Sequence, residues 1–221
     1  MTCYQRMHEV LLGVTRPQQP IDWDAILWDW VGVTDVHERD HMLERMGVEA
    51  IDIYDLPTAD LSRFTGLIVS GRVDQELLYQ QRDKIRAFLD DGKVVAFSGQ
   101  LFRPWLPGAP GTTLIDLNTL GGVSAVTFAP HPVLDGITPE ALGANFVHGY
   151  NPAPAGSEVI ASLPDGKAVI YIDRSSTGGT ILAHAGVNFM NYIVEDSTVR
   201  EIIPHLIAWI NAEAREKAAV S

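Results

Sequence analysis

A serine hydroxyl is a weak nucleophile at neutral pH unless a nearby base takes its proton. The residues to look for are therefore a serine and a histidine that a fold can bring together. Val94-Val95-Ala96-Phe97 is a short continuous apolar run that stops at Ser98-Gly99-Gln100, and Ile181-Leu182-Ala183 is another that stops at His184. A strand buried on both faces reads as such a run rather than as an alternation. In α/β proteins ligands sit beyond the carboxyl ends of these strands. Ser98 and His184 are thus the candidate nucleophile and base. A third run, Leu67-Ile68-Val69, closes on Ser70-Gly71-Arg72. The amides of Gly71 and Gly99 are candidates for an oxyanion hole. Asp173 or Glu195 could orient His184, and nothing in the spacing selects one. The full G-x-S-x-G signature of a nucleophile elbow is missing, so a turn kept as scaffold outweighs catalysis by Ser98.

Other histidines carry less. His148-Gly149-Tyr150-Asn151 follows a predicted strand, Asn145 to His148, and joins Ser70, Gly71, Arg72, Gly99 and Gln100 as the expected ligand-binding set. His131 precedes a proline in a loop and reads as structural. A metal site made of His131, His148 and His184 has the residue types but no supporting spacing. His37 and His41 stand one turn apart on a predicted helix, but Glu38, Arg39, Asp40, Glu44 and Arg45 mark it as a solvated surface. No metal and no cofactor are expected.

The elements that must position these residues follow from periodicity. Strands are predicted at Val10–Val14, Val48–Tyr54, Leu67–Val69, Val94–Phe97, Glu158–Ser162, Ala168–Ile172 and Thr180–His184, with Pro164-Asp165-Gly166 as a hairpin turn. Helices are predicted over Asp35–Met46, Asp74–Asp90 and Val199–Glu216, with Pro204 at odds with the last. After Gln100 the alternation breaks. Pro104, Pro107, Gly108, Pro110 and Gly111 crowd one loop, and Leu114–Leu117 and Ser124–Phe128 read as strands of a β-rich insertion. Trp23, Ile26, Leu27 and Trp30 fall on one helical face, a packed lid or homodimer contact, or else the surface of an interaction protein.

The chain has 221 residues, which favours one domain over 1–221. Its net charge of −12 argues against nucleic acid or an anionic membrane as partner. No apolar run approaches a membrane span, and no signal peptide is visible. Cys3 is the single cysteine, which fits a reducing cytoplasm.

Three stretches in this order resemble the class I glutamine amidotransferase-like superfamily, including its trehalose-utilisation-like branch. Thr65-Gly66-Leu67-Ile68-Val69-Ser70-Gly71 is similar to the strand ending in the oxyanion loop, with Arg72 where the second glycine would stand. Asp91-Gly92-Lys93-Val94-Val95-Ala96-Phe97-Ser98-Gly99-Gln100 is similar to the strand leading into the nucleophile elbow. Gly186-Val187-Asn188-Phe189-Met190-Asn191-Tyr192 is similar to the late strand that carries histidine and glutamate, and His131-Pro132-Val133-Leu134-Asp135-Gly136 to a connector common in these relatives. The resemblance implies a flavodoxin-like three-layer α/β sandwich with a mostly parallel central sheet and helices on both faces. It also shows what is missing. The elbow falls on Ala96, Ser98 or Gly99 and never on cysteine, and Met190 and Tyr192 stand where the histidine and glutamate would be. Without a thiolate there is no thioester route to ammonia. The expected function is binding of a small polar ligand or a protein partner at the elbow cleft. The alternatives are a serine-dependent hydrolase of a small ester, amide or sugar derivative, and an assembly protein using the Trp23–Trp30 face.

Overall fold

The computed structural model describes residues 10–23, 26, 36–115, 126–146, 149–186, 189 and 198–220. Ten strands and five helices are defined among them. The strands are β1 (Val10–Val14), β2 (Val48–Asp52), β3 (Gly66–Ser70), β4 (Val94–Ser98), β5 (Thr113–Leu114), β6 (Thr127–Phe128), β7 (Gly149–Tyr150), β8 (Glu158–Ser162), β9 (Ala168–Asp173) and β10 (Thr180–His184). The helices are α1 (Val36–Arg45), α2 (Gln75–Gln80), α3 (Arg82–Asp90), α4 (Pro139–Phe146) and α5 (Ile202–Val220).

Eight strands form one sheet in the order β2-β1-β3-β4-β10-β9-β8-β6, while β5 and β7 pair separately. Only β3–β4 and β4–β10 are parallel. The remaining five neighbour pairs are antiparallel, which corrects the mostly parallel sheet expected above. The reason lies in the connections. Short links such as Leu163–Lys167 between β8 and β9 return the chain at once, with Leu163 N–H donating to Lys167 O at 2.9 Å. Parallel pairing needs a longer crossover, and α2 with α3 supplies one between β3 and β4.

The central strands bury both faces. On β4, Val94 and Ala96 join one core with Met42 and Leu43 of α1, Met46 just after it, and Ile203, Leu206, Ile207 and Ile210 of α5. Val95 and Phe97 join the other with Leu78 of α2 and Ile85, Phe88 and Leu89 of α3. Helices therefore pack on both faces of the mixed sheet. No helix among the described residues is long and apolar enough to cross a membrane.

Several local expectations need revising. The helix predicted over Asp74–Asp90 is two helices meeting at Gln81, with the Asp74 carboxylate capping the first through Glu76 and Leu77 N–H, both at 3.0 Å. Asn145 is helical rather than part of a strand, since α4 runs to Phe146. Among the described residues of the insertion, strands run over Thr113–Leu114 and Thr127–Phe128, and neither Ile115 nor Val126 is in a strand. Pro204 sits in the first turn of α5, where its missing N–H has no helical partner to lose. Ile26 is buried and Trp23 is half-buried against the α1–α5 core. Leu27 and Trp30 lie outside the described residues, as does Cys3.

Two buried polar residues of α5 fix it to the sheet. Asn211 accepts from Thr65 Oγ1 at 2.9 Å. Glu213 accepts from Thr180 Oγ1 at 2.8 Å and is held bidentately by Arg174, whose Nη2 stands 3.0 Å from Oε2. Burial alone would raise the Glu213 pKa, but the bonds from Arg174 and Thr180 outweigh it and hold the carboxyl below the ordinary range. A depressed carboxyl pKa adds stability above its unfolded value and loses it as pH falls through the folded one. Glu213→Gln is expected to cost about 1–3 kcal/mol at neutral pH, Arg174 being partly in solvent. The deficit should shrink on acidification. Urea unfolding at pH 7 and near pH 3 checks this, and a deficit that grows in acid would contradict it.

Candidate functional site

The parallel register sets the site. Ser70 of β3 is the partner of Ser98 of β4, and Ser98 is the partner of His184 of β10. Partners in register on neighbouring strands point to the same face, so the three side chains form one polar row across the sheet. Ile68, Ala96 and Leu182, each two residues earlier, lie in the core under α1 and α5. The row is therefore the last layer of that core, placed at the carboxyl ends of the parallel strands.

Ser98 Oγ and His184 Nδ1 are 2.8 Å apart. Both residues are 0% exposed and Ser70 is 3% exposed. The ring of Phe189 stacks on the imidazole, with centroids 5.1 Å apart and planes 25° from parallel. The sequence thus placed serine and histidine together correctly, and the structure adds that the pair is sealed.

The rest of the expected apparatus departs from a hydrolase. Gly71 N–H donates to Ser98 O at 2.8 Å, and Gly99 N–H donates to His184 O at 3.0 Å. Both amides continue the parallel ladder by one step, so neither is directed at an oxyanion. Asp173 belongs to the opposite face of the sheet, two residues beyond Tyr171 on β9 and in the layer under α2 and α3. It is not the orienting acid of His184. Glu195 lies outside the described residues. No helix follows Ser98. The chain leaves β4 into a loop, so the sharp strand-to-helix corner of a nucleophile elbow is absent. Ala96 is buried mid-strand and Gly99 is the first loop residue, which leaves Ser98 at the strand end.

Glycine is required at Gly71 and Gly99 for close packing rather than for ligand access. A Cβ on Gly99 would stand 2.5 Å from Gly71 Cα and one on Gly71 2.7 Å from Gly99 Cα. Gly99 also has a φ of 147°, a region L side chains rarely enter. The two loops are thus pressed backbone to backbone.

A residue in the first turn of α2, not singled out in the sequence, holds them. Gln75 is buried; its Nε2 donates to Gly71 O at 2.8 Å and Gln100 O at 2.7 Å, and its Oε1 accepts from Phe102 N–H at 2.9 Å. Its position just after the Asp74 cap, beneath both loops, was the available signal. Of the remaining ligand-binding candidates, Arg72 is exposed and Gln100 half-buried at this end of the sheet. His148 lies outside the described residues.

Among the described residues no other histidine joins the row. His131 Nδ1 accepts from Val133 N–H at 3.2 Å and caps a short 3₁₀ turn, and its ring meets Trp209 edge to face. Burial lowers its pKa. His41 is exposed and pairs loosely with Glu44 at 3.9 Å, and the His37 side chain lies outside the described residues. Among the described residues no three histidine, cysteine or acidic side chains cluster as metal ligands do. Of the late stretch resembling the family's last strand, Phe189 is described, and Met190 and Tyr192 are not.

No protein-family model matches the chain, and no curated protein matches it either.

Substituting the abutting glycines tests the geometry. Gly99→Ala is expected to cost about 2–5 kcal/mol, from backbone strain and overpacking together. Gly71→Ala, which meets only the steric term, should cost about 1–3 kcal/mol. Chemical denaturation measures both. Wild-type stability in either variant would show that the loops are not in contact.

Proposed function

We propose that this protein is a glutamine amidotransferase-like α/β domain without glutaminase chemistry, and that it binds a small polar ligand where the carboxyl ends of β3 and β4 meet. The observation that carries this reading is the sealed state of the Ser98–His184 pair. A nucleophile must come within about 3–3.5 Å of the carbon it attacks, and a wholly buried hydroxyl with both neighbouring amides engaged in the ladder has no such approach. What this end of the sheet offers instead is Arg72 and Gln100 on two loops braced by Gln75, polar groups on a rigid frame. The same proposal takes the three parallel strands, with helices on both faces, as the centre of a flavodoxin-like sandwich whose outer strands have turned antiparallel. It also places the protein in the cytoplasm, in keeping with Cys3 as the single cysteine.

A second reading, a serine-dependent hydrolase, is favoured by one observation, the 2.8 Å contact between Ser98 Oγ and His184 Nδ1. It requires the cover over the pair to open.

A fluorophosphonate probe separates the two. It is expected to leave the wild-type protein unlabelled. Labelling that disappears in both Ser98→Ala and His184→Ala, with each variant still folded by circular dichroism, would overturn the binding reading and establish the hydrolase.

A further inference from the structure

Between β4 and β5 the chain makes a loop, Leu101–Thr112, whose two ends meet. Thr112 N–H donates to Leu101 O at 3.1 Å, and Leu101 N–H donates to Thr112 Oγ1 at 2.7 Å. A loop closed at its neck in this way is an Ω-loop, a unit that packs through its own side chains. Trp105, Leu106 and Ala109 are buried, and Trp105 meets Phe97 edge to face with centroids 5.4 Å apart. The loop therefore closes over the face of the sheet that carries α2 and α3, opposite the Ser98–His184 row.

Beneath it lies the end of β9. Tyr171 and Asp173 are each 1% exposed on that face. Contact with the loop is direct: a Cβ on Gly108 would stand 2.3 Å from Ser176 Oγ and 3.2 Å from Asp173 Oδ2. Asn151 is tied to the neck, its Oδ1 accepting from Thr112 Oγ1 at 2.7 Å.

Four buried polar atoms of the loop, of β9 and of Asn151 have no hydrogen-bond partner: Trp105 Nε1, Asn151 Nδ2, Tyr171 Oη and Asp173 Oδ2, and Tyr171 shares one apolar cluster with Leu101, Trp105 and Leu106. The other carboxylate oxygen of Asp173 is well supplied, with donors from Ser175 N–H and Oγ at 2.8 Å and from Ser176 N–H at 3.2 Å. Burial opposes the charge, but hydrogen bonding from Ser176 and Ser175, side chain and backbone, outweighs it and holds the group ionised. The loop thus covers a carboxylate with one unpaired oxygen, an unpaired hydroxyl and two unpaired N–H groups. Each such group biases a local equilibrium toward the hydrated state by roughly five- to a hundredfold. The apolar side chains of the loop bias it the other way.

We infer that Leu101–Thr112 is a lid that opens as one unit about its hydrogen-bonded neck, driven by the unpaired polar atoms it covers and held shut by Trp105, Leu106 and Ala109. Opening hydrates Tyr171, Asp173 and Asn151 while the sheet stays folded. This inference is independent of the function proposed above.

Hydrogen–deuterium exchange on the full chain, read by mass spectrometry, tests it with two variants that act in opposite directions. Tyr171→Phe removes one unpaired atom and keeps the ring. It should slow exchange of Leu101–Thr112 amides by about tenfold and leave β4 unchanged. Gly108→Ala sets a methyl against Ser176 and Asp173, and should speed exchange of the same amides ahead of β4. Loop exchange that is unaltered in Tyr171→Phe, or slowed there no more than in β4, would overturn the inference. So would a Gly108→Ala protein whose loop exchanges like wild type.

Discussion

The hydrogen bond between Ser98 and His184 is the contact on which the centre of this structure depends. Both side chains are fully enclosed, and an enclosed polar group left without a partner is costly. Each residue therefore helps the other to be buried at the end of its strand. That requires β4 and β10 to be neighbours, parallel, and in the register that pairs Ser98 with His184. A one-residue slip would turn one of the two to the opposite face, against the layer of Phe97 and Ala183. The bond thus acts as a register pin for the three parallel strands around which the antiparallel strands are added.

The surrounding backbone follows from the same register. Once Ser70, Ser98 and His184 are aligned, the next amides, of Gly71 and Gly99, fall opposite the carbonyls of Ser98 and His184 and continue the ladder. The two loops then leave the sheet so close together that neither glycine has room for a side chain. Gln75 bridges them from below with both ends of its amide. A nucleophile elbow needs a different exit, with a helix following at once and amides turned toward the substrate. Here those amides are used to hold the sheet together, and this physical reason favours binding over hydrolysis at this position.

Much of this was legible in the sequence, and the losses have identifiable causes. Val10–Val14, Glu158–Ser162 and Thr180–His184 were delimited by their apolar runs and turn residues, because strands buried on both faces leave a signal within a few residues. The pairing of Ser98 with His184 was also accessible, since each closes such a run. Strand direction was not, because a continuous apolar run looks the same in parallel and antiparallel settings. Asn145 was assigned to a strand although α4 continues through it, a segment too short for periodicity to decide. The roles of Gln75, Thr112 and Asn151 were hidden because each depends on a partner distant in sequence: Gln100 and Phe102 for Gln75, and Leu101 for Thr112. Asp173 was a plausible triad member until alternation along β9 put it on the opposite face from His184.

The most direct test of the central claim is a double-mutant cycle on Ser98→Ala and His184→Phe, read by urea unfolding with constant m-values. If the bond pins the register, each single variant is destabilised, and the two are coupled by about 1 kcal/mol or more. Additivity within about 0.3 kcal/mol would contradict the account. So would a Ser98→Ala protein more stable than wild type, the behaviour of a side chain retained for activity at the expense of the fold.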